Sequence, residues 1–81
     1  MKITALTNTA VETQNTPLAF GVGFLNFTGG NLVVEGSDTS ASTGYTDLVT
    51  VPTLGGISVN GRLPRWIRVK TAATVYTLQN Q

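Results

Sequence analysis

At 81 residues the chain has material for one small domain, and with no cysteine it has no disulfide to offset the limited surface such a domain buries. With no histidine either, only four scattered carboxylates could serve a zinc site or an acid–base pair, so neither metal binding nor catalysis is expected and no cofactor is implied. A net charge of +1 and a charged fraction of 11%, against roughly 25% in ordinary soluble domains, leave a surface of Thr, Ser, Asn and Gly suited to packing on other protein, and predict a homo-oligomer.

Residues 1–16 are polar and rich in Thr and Asn, with a weak apolar pattern at Ile3, Ala5 and Leu6. They read as an extended N-terminal arm that a neighbouring subunit would order, preceding a single β domain over 17–81. No continuous apolar run of seven residues occurs in the first fourteen, so no signal peptide is expected. No 18-residue apolar stretch occurs, so no membrane-spanning helix is expected.

Pro17 opens the domain. The apolar run 18–27 reads as a strand with Phe20, Val22 and Phe24 on one face and Gly21, Gly23 and Leu25 on the other. Gly21 and Gly23 leave a flat strip of backbone where another chain could approach, and are candidate interface residues. The Gly29-Gly30 pair reads as a tight hairpin turn, with 31–36 as the return strand. Residues 37–44 form a loop by composition, 45–51 a strand ended by Pro52, and 57–61 a short strand broken by Gly61. Residues 63–71 form a strand entered through Pro64, and 73–79 the last strand, with Val75 and Thr77 on one face and Tyr76 and Leu78 on the other. Short strands with turns every 8–12 residues predict an all-β fold, a small antiparallel β-sandwich or barrel.

One segment stands out. Arg62, Arg65, Arg68 and Lys70 crowd into nine positions around Trp66, the only tryptophan, while the rest of the chain carries a single Lys2. Alternation sets Ile67 and Val69 toward a core and Trp66, Arg68 and Lys70 outward. Three readings fit: Trp66 caps the core beside solvated cations; Trp66 and its arginines anchor a protein interface; or the aromatic stacks a base while the cations hold phosphates. A lone aromatic makes nucleic acid the weakest of the three.

The order of motifs resembles small virion proteins of tailed-phage structural gene clusters. The matching elements are Gly30-Asn31-Leu32-Val33-Val34, Val51-Pro52, Gly55-Gly56, Leu63-Pro64 with Ile67 to Val69, and Thr74 to Leu78. The polar loop 37–44 and Trp66 depart from that pattern. The resemblance spans Leu18 to Gln79. It implies a non-enzymatic capsid decoration or cement protein on the phage head surface, assembled in the host cytoplasm, with the major capsid protein and its own copies, most simply a homotrimer, as partners. A head-spike base or neck component, and a small nucleic-acid-binding β-barrel, are the alternatives.

Overall fold

The computed structural model describes residues 2–13 and 22–80. Eight strands run β1 (Lys2–Leu6), β2 (Val11–Glu12), β3 (Val22–Thr28), β4 (Leu32–Ser37), β5 (Thr46–Val51), β6 (Gly56–Arg62), β7 (Trp66–Val69) and β8 (Val75–Asn80), with no helix among the described residues. They form two antiparallel four-stranded sheets, ordered β1-β8-β3-β6 and β2-β7-β4-β5. The all-β sandwich expected from strand spacing is therefore the observed architecture.

The connectivity is nested: β1 pairs with β8, β2 with β7, β3 with β6 and β4 with β5. Two four-stranded sheets wound in this order are an eight-stranded jelly roll. Among the described strands, only β4 and β5 are consecutive in the same sheet.

Two expectations change. The Gly-Gly turn does not close a hairpin. Gly29, Gly30 and Asn31 all take positive φ, at 100°, 50° and 57°, and carry the chain from the first sheet into the second. A Cβ on Gly30 would lie 2.7 Å from the Pro52 carbonyl oxygen, so this turn packs directly against the β5–β6 turn. The N-terminal segment is not an arm awaiting a neighbour. Residues 2–6 are hydrogen-bonded along β8 of the same chain, Val11 and Glu12 pair with β7, and Leu6 lies in the core. Thr13 continues the attachment: its backbone N–H donates to the Arg65 carbonyl at 2.8 Å and its hydroxyl to the Pro64 carbonyl at 2.9 Å. Most of the Thr and Asn lie outside the two short strands, and their abundance around Lys2–Leu6 and Val11–Glu12 hid both.

The core lies between the sheets and consists of Leu6, Leu25, Phe27, Val34, Val51, Leu63, Ile67, Val69 and Val75. Val11, Leu32, Leu48, Val49, Ile57 and Val59 pack against it from the margins. Alternation explains the choice. Ile67 and Val69 point inward from β7, Val75 and Thr77 from β8, and Leu25 and Phe27 from β3. In β5 the alternation shifts at an irregularity between Val34 and Glu35 of its partner strand.

Candidate functional site

The basic segment ends β6 and forms β7, which lies inside its sheet between β2 and β4 rather than at an edge. Trp66 and Arg68 are half-buried on the outward face and Ile67 and Val69 are buried, as alternation predicts. The opposing charges were not predicted. Arg62 Nη1 meets Asp38 Oδ2 at 3.1 Å, Arg65 Nε meets Glu12 Oε2 at 3.0 Å, Arg68 Nε meets Glu35 Oε2 at 2.6 Å and Lys70 Nζ meets Asp47 Oδ1 at 3.0 Å. Every Asp and Glu in the sequence thus faces one member of the basic segment. Carboxylates spread over 36 positions of sequence become one set because β2, β4 and β5 all belong to the sheet that contains β7.

The register lays these charges across the outer face in alternation. Arg68 sits opposite Glu35, and Glu35 opposite Asp47, which Lys70 reaches across β4. Two neighbouring carboxylates are each given a cation, so the row carries no net charge. Tyr45 completes it. The Arg68 guanidinium carbon lies 3.8 Å from the centre of the Tyr45 ring, and the Tyr45 hydroxyl donates to the Ala41 carbonyl at 2.7 Å. Burial pushes the Tyr45 hydroxyl above its ordinary pKa of 10.0, against the opposing pull of Arg68. The hydrogen bond and charge of Asp47 raise Lys70 above its ordinary 10.5. At the other end of β7, the Arg65 guanidinium lies 4.5 Å from the centre of the Trp66 ring while binding Glu12.

Asp38 has a second task. Its Oδ1 accepts the Arg65 backbone N–H at 3.1 Å, so one carboxylate ties the β4–β5 loop to both ends of the β6–β7 connection. The loop that composition marks at 37–44 is internally bonded. Ser37 is buried; its Oγ donates to the Thr43 carbonyl at 2.6 Å and accepts the Thr39 N–H at 3.1 Å, while Ser40 Oγ accepts the Thr43 N–H at 3.0 Å. Between this loop, the start of β5 and the end of β6 lies an open cleft of about 390 Å³, with Leu48, Pro64 and Gly36 as its apolar lining and Arg62, Asp38, Thr39 and Thr46 as its polar lining.

Of the two glycine candidates, Gly21 lies outside the described residues, and Gly23 pairs in register with Gly61 of β6. The chain that approaches Gly23 is the protein's own. Sequence reasoning missed Glu12, Glu35, Asp38 and Asp47. Their equal number with the four clustered cations was the available signal, but only the nested topology turns it into pairs.

The outer face of the first sheet contrasts with this. Ala5, Phe24, Asn26, Thr28, Ser58, Asn60, Tyr76 and Leu78 alternate with the inward residues of their strands and none is charged; the charge on this parity is Arg62, at the last position of β6. Tyr76 is 54% exposed there. No protein-family model, curated protein or solved structure matches this chain.

Proposed function

We propose that the protein is a non-enzymatic structural subunit of a tailed-phage virion, seated on the capsid exterior as a decoration or cement protein that bridges major capsid protein subunits. The observation that carries this reading is the charge-poor outer face of the β1-β8-β3-β6 sheet, where Tyr76, Phe24 and Leu78 are set among Asn, Ser and Thr and Arg62 stands only at the end of β6. Depletion of charge with retained aromatics is what distinguishes the centre of a protein interface from ordinary surface. The jelly roll is a frame used by viral capsid proteins and by lectins, and it leaves the choice of function to the site. Affinity would come from many copies, each adding a modest contact on a symmetric lattice.

The same geometry argues against the nucleic-acid alternative. Phosphate binding needs cations whose charge is not already matched, and all four cations of the basic segment face a carboxylate of their own chain. It also moves the proposed capsid contact from Trp66, Arg65 and Arg68 to the opposite sheet. The test is cosedimentation with empty heads assembled from the major capsid protein encoded in the same structural gene cluster. Saturable binding that changes little between low and high salt, and falls with Tyr76→Ala but not with Lys70→Ala, is expected. Binding lost steeply with salt, or lost with Trp66→Ala and untouched by Tyr76→Ala, would refute the assignment.

A further inference from the structure

The four sheet edges are not protected alike. Strand β2 is two residues long, β5 carries Asp47 opposite an irregularity in register, and β1 begins with Lys2. These are the usual defences of an edge: shortness, a charge, a distortion. Strand β6 has little of this. It runs seven residues, Gly56-Ile57-Ser58-Val59-Asn60-Gly61-Arg62, without proline and without charge until its last position. It pairs with β3 on one side and has no strand partner on the other among the described residues. Ile57 and Val59, its inward side chains, reach only partial burial.

The two ends of this edge are complementary. Just before it, in the β5–β6 turn, Leu54 is 86% exposed, by far the most exposed large apolar side chain described. The turn that presents it is held from behind, since Gly30 packs against Pro52 and Thr53 with no room for a Cβ. Just after it, Arg62 and Pro64 line the cleft, whose volume of about 390 Å³ has room for a leucine side chain and whose lining includes Leu48 and Pro64.

We infer that β6 is a self-pairing edge: two copies join antiparallel along β6 about a two-fold axis, and each seats its Leu54 in the cleft of the other. Antiparallel pairing reverses the ends, so the exposed leucine of one copy arrives at the cleft end of the second. With the axis at Val59, Gly56 stands opposite Arg62 of the second copy, and Leu54 reaches the level of its Pro64. A second copy is the fitting occupant for two reasons. The edge meets itself without opposing like charges, because Arg62 already holds Asp38. And the knob and the hole are on the same molecule, so one contact satisfies both twice. The contact is isologous and closes at two copies, in place of the trimer expected from the sequence. It also joins two sheets into one eight-stranded surface.

Sedimentation of the purified chain from about 1 to 100 μM should show a mass rising from 8.5 kDa toward twice that value. Leu54→Asp leaves the monomer folded, since the side chain is in solvent, and should weaken dimerisation by roughly tenfold or more. Because the chain has no cysteine, Ser58→Cys combined with Asn60→Cys, positions that face each other across the axis at Val59, should yield a disulfide-linked dimer on oxidation, whereas Leu54→Cys alone should not, its two copies being at opposite ends of the pair. A wild-type monomer throughout this range overturns the inference. So does a dimer that Leu54→Asp leaves unchanged, or one in which the double-cysteine variant fails to cross-link. No particle enters these measurements, so their failure and a failure of capsid binding are separate results.

Discussion

Replacing Glu35 by alanine separates what the ion pairs contribute from how they look. Arg68–Glu35 and Arg65–Glu12 lie on the same sheet at 2.6 and 3.0 Å, distances too close to matter by themselves. Their exposure differs: side-chain values are 30% and 11% for Arg68 and Glu35, but 40% and 46% for Arg65 and Glu12. A hydrogen bond to a charged group contributes about 1.5–3 kcal/mol where water is excluded, and Arg68 keeps partial access to water, so the coupling of that pair should be about 1–2 kcal/mol. The exposed pair should couple by about 0–0.5 kcal/mol. Double-mutant cycles with Glu35→Ala and Arg68→Ala, and with Glu12→Ala and Arg65→Ala, read these terms from urea unfolding. With a slope near 1 kcal/mol/M for a domain this small, Glu35→Ala should lower the midpoint by about 1–2 M, because it also leaves Arg68 stacked on Tyr45 without its anion. Equal couplings for the two pairs, or a Glu35→Ala midpoint matching wild type, would refute the argument that exposure sets the difference.

Leu6→Ala should cost about 2–5 kcal/mol and can unfold the domain, because the N-terminal strand supplies a fully buried core residue; a change within error in the urea midpoint would restore the view of residues 1–16 as a dispensable arm. Gly36→Ala should cost about 1–3 kcal/mol by the same assay, since its new Cβ would lie 2.5 Å from Pro64 Cγ, an atom of a rigid ring. Stability should be level through neutral pH and fall in alkali: Tyr45 and Lys70 both have raised folded-state values, so their contribution is complete below the ordinary 10.0 and 10.5 and is lost as pH climbs through the raised ones. Tyr45→Phe should remove part of that alkaline fall in unfolding midpoints measured across pH, and an unchanged alkaline limb would contradict the assignment.

The local rules were legible where one face of a strand is apolar. Ile67 and Val69 against Trp66 and Arg68, and Val75 and Thr77 against Tyr76 and Leu78, take the faces that alternation assigns. The jelly roll was not legible, because Gly29-Gly30-Asn31 provides positive φ equally for a hairpin within one sheet and for a crossing between two. The clustered cations were legible as a cluster but not as a neutral one. Glu12 and Glu35 are 23 positions apart in sequence, and only the placement of β2 and β4 on either side of β7 makes them neighbours of the same strand. The N-terminal strand was hidden by its composition: a strand whose described inward positions are Thr4 and a single leucine, with Ala5 outward, looks, as sequence, like a tail.

The nested pairing has a consequence for how the chain is made. The β4–β5 pair closes a short loop and can form as soon as both strands exist, and each outer pair then closes around a loop that the inner pairs have already shortened. Loop closure alone then predicts assembly from the middle of the sequence outward, with Lys2 and Gln79 pairing last. During synthesis β1 has no partner strand until β8 has emerged. Loss of β8 would remove the partner of β1 and leave Leu6 without the strand that holds it in the core.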